Sequence, residues 1–387
     1  MKFPDLLFVS LENWDEVWRR NQFLCSGLAQ RFPESKILFV GLPRDVSNAV
    51  RRRDFSALKD NTTQKVPGYP NITVTRPLKF APNTLSAGRH LNERMFRSHV
   101  RRVATSIGMK KPLLWLNPHS AVHMAGLMGE SAVIYDITDD WILASCSPRE
   151  KQLIQEQDRH LCQRADLTVV CSAALHESRK AASKRILLLP NGVNLKHYQQ
   201  VDEKNAAQSS FNLPGPVFGY TGTLHDDRID AEPILALARA FPGGSVVLVG
   251  PDFLSDETKA QLAAQPNVHL GGTVPYAGIA ATMQQFDVCI VPHHESDFTN
   301  SLNPIKLWEY LACGKPIVST NVAGFRDYPQ FVRLASGPDD FVAACRDALQ
   351  EGDSLTDARR AEAAGNSWDS RLDQLLDTLK SLNIVRT

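Results

Sequence analysis

Nowhere does this chain approach the roughly 18 consecutive uncharged apolar residues that a membrane-spanning helix needs, so no spanning helix is expected. Its first residues, MKFPDLLFVSLENWDE, form a short apolar run that carries Asp5 and ends in acids. The longer apolar stretch and small-residue cleavage site of a secretory leader are missing. Cys-x-x-Cys pairs are also missing. The seven cysteines (25, 146, 162, 171, 289, 313 and 345) are odd in number and scattered. That pattern points to reduced thiols in a cytoplasmic setting and argues against a disulfide framework or a zinc site. There is no internal repeat, no low-complexity tract, no D-x-D pair and no G-x-G-x-x-G dinucleotide fingerprint. Motifs of nucleic-acid recognition are absent as well, so nucleic acid is not an expected partner.

What is present is ordinary globular composition, 43% hydrophobic and 22% charged, over 387 residues. Such a length exceeds one compact core, so two domains are expected. The net charge of +1 conceals a polarity. Residues 1–195 hold 28 Lys and Arg against 18 Asp and Glu, a balance of +10, and the remainder is −9. Much of the excess lies in Arg51, Arg52, Arg53, Arg76, Lys79, Arg89, Arg94, Arg97, Arg101, Arg102, Lys110 and Lys111. Two readings stand: a solvated face, or attraction to anionic lipid or an acidic acceptor.

Short continuous apolar runs recur, as strands buried on both faces require. In the first half they are Asp5–Ser10, Lys36–Gly41, Ile72–Leu78, Leu113–Asn117, Ala132–Ile137, Leu167–Ser172 and Ile186–Pro190. In the second they are Val217–Leu224, Ser245–Gly250, Asn267–Gly271, Asp287–Pro292, Pro316–Thr320 and Val332–Ala335. Helical-period segments such as Trp14–Arg31, Ala231–Phe241 and Pro304–Cys313 separate them, which predicts an α/β chain of two successive doubly wound sheets. The boundary is expected within Asn194–Pro216, where strand signals stop and Pro214-Gly215-Pro216 appears. Three units follow: 1–195, 196–366, and a tail, 367–387. The tail's apolar stripe (Trp368, Leu372, Leu375, Leu376, Leu379) needs a surface already formed elsewhere.

In open α/β sheets, ligands bind beyond the carboxyl ends of the strands. The segment FDVCIVPHHESDFTNSLNPIKLWEYLACGKP is the most informative such place. Asn303 suits the N-cap of the helix that follows, Pro304 its first position and Gly314 its end. The N–H groups of Ile305 and Lys306 then face outward at a positive dipole end, an anion site. Lys306 opposes the macrodipole there by about 0.3–1 kcal/mol, which an anion would explain. An i,i+3 pair with Glu309 is the plainer alternative, worth about 0.2–0.5 kcal/mol. Glu309 stands one turn further in, placed to accept from two vicinal ribose hydroxyls. A diphosphate beside a ribose describes a nucleotide sugar. After Val217–Leu224, Gly219 and Gly222 allow close backbone approach and Arg228 is within reach of a phosphate.

These stretches carry a resemblance. LLLPNGVN (187–194), FGYTGTL (218–224), VVLVGP (246–251) and above all NPIKLWEYLACGKPIVST (303–320) resemble the donor half of GT-B glycosyltransferases. The likeness is to family 4 and its relatives that build bacterial surface polysaccharides. NWDEVWRRNQFLCSGLAQRF and VIYDITDDW resemble the acceptor half more loosely, and SWDSRLDQLLDTL resembles the terminal helix that crosses back to the first domain. The resemblance implies the GT-B fold, two Rossmann-like domains around a cleft. It also implies transfer of a sugar, with retention, from a nucleotide diphosphate sugar to a hydroxyl of a glycan or lipid-linked acceptor. The enzyme would be cytoplasmic or peripheral at the inner face of the membrane, with no cofactor and no metal.

Residue by residue, Glu309 matches the family's ribose-binding glutamate. The glutamate eight positions earlier, which contacts the donor sugar, is Ser301 here. Leu302, Asn303 and Pro304 occupy the stretch that contacts sugar and diphosphate. The family's Arg and Lys, five residues apart, fall at Thr223 and Arg228, so one cation is kept and Lys306 compensates for the other. Gly222 stands beside them as part of the donor loop. The glycine pair of the family's first loop is missing, with Asn13-Trp14-Asp15 in that region. In the first domain, His119 in LNPHS and Asp139 and Asp140 in DITDDW stand at strand ends facing the cleft. His119, Asp139, Arg228 and Lys306 are the catalytic candidates. His119 as a plain loop residue and Asp139 and Asp140 as helix caps are the alternatives. His293, His294, Glu295 and Asp297 have the side chains of metal ligands, yet the fold implies none is bound. Trp14, Trp115 and Trp308 are expected in the core. Two rival functions use the same scaffold, a nucleotide-sugar epimerase and a catalytically inactive binding protein.

Overall fold

The computed structural model describes residues 3–53, 63–82, 86–199 and 212–385, so the expected boundary at Asn194–Pro216 lies partly outside the described residues. The first sheet runs in the order Ile186–Leu188, Leu167–Val170, Ala132–Ile137, Leu113–Leu116, Leu6–Val9, Ile37–Val40, Tyr69–Thr75, Thr63–Val66. Its neighbours are parallel except the last pair, which is antiparallel. The second sheet is wholly parallel, in the order Val268–Gly272, Ser245–Val249, Val217–Thr221, Val288–Val291, Ile317–Thr320, Val332–Ala335. In chain order that is 3-2-1-4-5-6, the doubly wound arrangement. The central strands LLFV, ILFV, LLWL, SVVLV and VCIV are buried throughout, which is why their apolarity is continuous rather than alternating.

Two sequence expectations shift. The edge strand Thr63–Val66 escaped notice because three of its four residues are exposed and polar. The helix expected over Trp14–Arg31 starts only at Arg20. Trp14 and Trp18 instead leave the helix axis to join an aromatic cluster with Phe39, Tyr69 and Tyr276. Gln22 closes the new start, its Oε1 accepting from the Arg19 N–H at 3.0 Å. Trp115 and Trp308 are buried, as expected.

The tail helix, Trp368–Ser381, lies in the core of the first sheet. Trp368, Leu372, Leu375, Leu376 and Leu379 all pack there, on the helix Arg20–Arg31. Trp368 stacks on Phe23 at 4.9 Å, and Gly27 lets Leu372 come so close that a β-carbon would overlap it. The chain crosses between the sheets at two points that pair with each other. Val193 bridges to Ser367, Val193 N–H donates to the Asn366 carbonyl, and Trp368 N–H donates to the Val193 carbonyl. The two crossings are thus hydrogen-bonded to each other.

Candidate functional site

In each sheet the chain order reverses between two central strands: Leu6–Val9 and Leu113–Leu116 in the first, Val217–Thr221 and Val288–Val291 in the second. Loops opening at these reversals face each other across a cavity of about 240 Å³. The second domain contributes Thr221, Gly222, Thr223, Arg228, His293, Leu302, Asn303, Pro304, Lys306 and Glu309, and the first contributes Glu12, Arg19, Arg20, Asp139 and Asn191.

The helix Ile305–Cys313 points its start into this cavity without any side-chain cap. Asn303 does not cap it, as the sequence had suggested; Pro304 holds the cap position. Asn303 is committed elsewhere. Its Oδ1 accepts from the Asn191 N–H at 2.7 Å and its carbonyl accepts from Asn191 Nδ2 at 2.5 Å, tying the helix entry to the segment leaving the first sheet. Gly314 ends the helix at φ 77°, in the left-handed region where glycine was expected.

Lys306 is not paired with Glu309 among the described residues. Its ammonium donates to the Tyr220 hydroxyl at 3.1 Å and lies 4.7 Å from the centre of that ring. A β-carbon on Gly222, whose φ is 140°, would stand 2.8 Å from the ammonium. The charge therefore sits against Gly222 and Thr223, the place where the resembled pattern has a cation and this chain has threonine. Glu309 is half-buried, with Oε1 accepting from the Tyr198 hydroxyl at 2.6 Å. Burial raises its carboxyl above the usual range, while Tyr198 and the charge of Lys306 pull it back.

On the facing wall, Arg228 Nη2 lies 3.6 Å from Asp139 Oδ1, and its guanidinium is 5.3 Å from the centre of the Phe298 ring. Burial raises the Asp139 carboxyl above its ordinary range against the pull of Arg228. Glu12, 3.6 Å from Arg19, is pushed up to about 7 by burial, again against the pull of its arginine. Beneath them Arg20 holds fully buried Asp136 through two hydrogen bonds, which fixes the cavity floor. His293 is buried beside Lys306 and Arg228; burial and those charges keep its imidazole neutral, with Nε2 3.1 Å from the Tyr220 hydroxyl.

Three expected residues stand elsewhere. Ser301 does not line the cavity: its hydroxyl turns back to the Phe298 carbonyl at 2.7 Å, and its own carbonyl accepts from Ser172 Oγ. A serine is too short to reach where a glutamate would, and the backbone acceptor captures it. His119 lines neighbouring cavities, with Nδ1 2.8 Å from Gln157 Oε1. Asp140 is bound to Arg179 in a buried cluster with Asp158 and Tyr135, so its role is structural. Among the described residues no group of His, Cys, Asp and Glu is assembled to hold a metal ion. Sequence reasoning passed over Glu12, Arg19 and Asn191. Glu12 was findable, standing three residues beyond a strand at the reversal point.

Residues 215–351 match the family model described as Glycosyl transferases group 1. A Bacillus subtilis glycosyltransferase named for teichuronic acid biosynthesis is 28% identical over 284 residues, covering 68% of this chain and 70% of that protein. A D-inositol 3-phosphate glycosyltransferase of Geodermatophilus obscurus is 25% identical over 269 residues, 59% of this chain and 53% of that protein. Among solved structures, sucrose-phosphate synthase of Thermosynechococcus elongatus superposes with a TM-score of 0.72 at 18% identity, over 98% of this chain and 99% of that one. Anabaena HepE in complex with UDP-glucose gives 0.66 at 16% identity, over 97% and 99%. The chain is a glycosyltransferase of the GT-B fold.

Proposed function

We propose that this glycosyltransferase moves a sugar, with retention of configuration, from a nucleotide diphosphate sugar to a hydroxyl of a glycan or lipid-linked acceptor in surface polysaccharide or related synthesis. The observation that carries the reading is one juxtaposition. An uncapped helix start, the Lys306 ammonium, the Arg228 guanidinium and the Glu309 carboxylate converge on one cavity between two facing strand-order reversals. The diphosphate would lie on the first three and the ribose hydroxyls on the last. In the reaction the bond from the anomeric carbon to the phosphate oxygen breaks. The acceptor oxygen bonds that carbon on the same face, and its proton passes to the departing phosphate oxygen. The protein contributes positioning and charge stabilisation, with no covalent nucleophile and no metal.

A thermal-shift screen over nucleotide diphosphate sugars tests this, beginning with UDP sugars because UDP and UDP-glucose occupy the HepE structures. A donor present at about 100 times its Kd stabilises the fold by about 2.7 kcal/mol. No shift with any nucleotide sugar would remove the reading.

The first domain also carries most of the exposed large apolar side chains among the described residues. Leu42, Val50, Phe80, Leu91, Leu127 and Leu143 lie there, against Phe253 and Leu270 in the second. Arg51, Arg53, Arg89, Arg101 and Arg102 belong to the same domain. No helix among the described residues is long and apolar enough to cross a membrane. Reversible attachment to an anionic surface at the inner face fits this mixture, at about 1 kcal/mol for each cation near the lipid. Co-sedimentation with phosphatidylserine vesicles is expected at low salt and lost at high salt. Absence of binding at low salt would remove this part of the proposal.

A further inference from the structure

Arg228 has two calls on its charge. It stands on the second domain's side of the cavity, and its carboxylate partner comes from the other domain, Asp139, at 3.6 Å. Asp139 is held at the end of the strand Ala132–Ile137 by its place in the fold and not by a cap. Its carboxylate does not cap the turn that follows, where the backbone N–H of Ile142 bonds Asp140 instead. Besides Arg228, the neighbouring Thr138 hydroxyl reaches its carboxylate, donating at 3.5 Å. It lines both the central cavity and the small one behind it, which reaches His119 and Trp141 in the first domain. The residue is thus placed between the donor's phosphates and the side from which an acceptor enters.

We propose that Asp139 is a shared ion-pair partner that couples the two substrates. It occupies Arg228 until the diphosphate arrives, and once released it receives the attacking hydroxyl of the acceptor. The charges make the exchange directional. A diphosphate offers Arg228 more negative charge than one carboxylate, so it wins the guanidinium. Asp139 is then a half-buried anion beside a second carboxylate, Glu12, with its counter-charge withdrawn. Burial already disfavours its charged form. A hydroxyl donor relieves that, so acceptor binds well only after donor. No bond is made or broken on Asp139: it accepts a hydrogen bond, and the proton still leaves to the phosphate oxygen.

This inference rests on the donor reading above, and the test separates the two. Donor affinity is measured by calorimetry for the unaltered chain and for Asp139→Asn, with UDP-glucose or whichever nucleotide sugar gives the largest thermal shift. Removing a competitor should tighten donor binding by roughly two- to fivefold, the scale of a partly exposed ion pair. The same variant should lose about 10- to 100-fold in kcat/KM for acceptor, the scale of one hydrogen bond to a charged group. In an Arg228→Gln background the tightening should vanish, since no competition remains. A residue that merely supports the fold would weaken donor and acceptor together. If the unaltered chain binds no nucleotide sugar, the donor reading fails. If it binds and Asp139→Asn binds no tighter, the coupling fails while the donor reading stands. Asp139→Ser, smaller and also uncharged, gives the same comparison should the asparagine variant fold poorly.

Discussion

A chain shortened to end before Trp368 should come out of solution or bind hydrophobic dyes, and should transfer no sugar. Five side chains of the tail helix, Trp368, Leu372, Leu375, Leu376 and Leu379, are buried in the core of the first sheet. At about 1.5–3 kcal/mol for each, their loss removes roughly 10 kcal/mol, comparable with the whole stability of a typical domain. The salt bridges from Arg31 to Asp369 and Asp373 are too exposed on their acidic side to matter beside this. Truncation also removes the Trp368 N–H that donates to the Val193 carbonyl, so the pairing at the crossing loses one of its two hydrogen bonds. A gentler version, Leu372→Ala, should cost about 2–5 kcal/mol in denaturant melts with the fold retained. A truncated chain that stays soluble and fully active would show that the tail is not part of the first domain's core.

The effect on activity follows from the path of the chain. In the proposed reaction, donor held by the second domain meets acceptor held by the first in a cleft that excludes water. The tail helix belongs by sequence to the end of the second domain and by packing to the core of the first sheet, so it ties the two together. Tyr276 reaches across in the same region, stacked on Trp18 at 5.4 Å and donating its N–H to the Glu16 carbonyl at 2.7 Å. These contacts join the two halves beside the crossing.

Much of this architecture was legible because buried parallel strands write themselves as continuous apolar runs. Residues 132–137 and 332–335 were marked to the residue. Where the sequence misled, the cause was tertiary. Trp14 and Trp18 have helical spacing, but aromatic partners on three other segments took them out of the helix. Asn303 has the chemistry of a cap, but Asn191, distant in sequence, claims both its oxygens. The second domain's side of the site could be read because its groups lie within two strand-loop units, after Val217–Thr221 and after Val288–Val291, so spacing fixes most of their neighbourhood. The acceptor half could not. Glu12 and Arg19, Asp139, and Asn191 come from three separate segments, and nothing local says that Asp139 faces Arg228.

The helix start remains the most exacting test. Lys306→Met keeps the alkyl stem and removes the charge at Gly222 and Thr223. In the free protein two effects nearly cancel. A cation leaves the positive end of a helix, a gain of about 0.3–1 kcal/mol, and its contact with the Tyr220 ring is lost, about 0.5–1 kcal/mol. The melting temperature without ligand should therefore move by no more than about 2 °C. Transfer should fall by about 100- to 1,000-fold in kcat, because the cation opposes charge that develops on the leaving diphosphate. Glu309→Gln behaves differently. It leaves the Tyr198 hydroxyl an oxygen to donate to and relieves a partly desolvated carboxyl, so the free protein should hold its stability. Its loss falls on binding: a charge-assisted hydrogen bond of about 1.5–3 kcal/mol to ribose disappears, weakening donor by roughly one to two decades. The first variant is thus expected to act mainly on kcat and the second mainly on donor Kd, read by initial rates and by ligand-induced melting shifts. Donor-induced shifts that survive unchanged in both variants would place the nucleotide sugar elsewhere in the cleft.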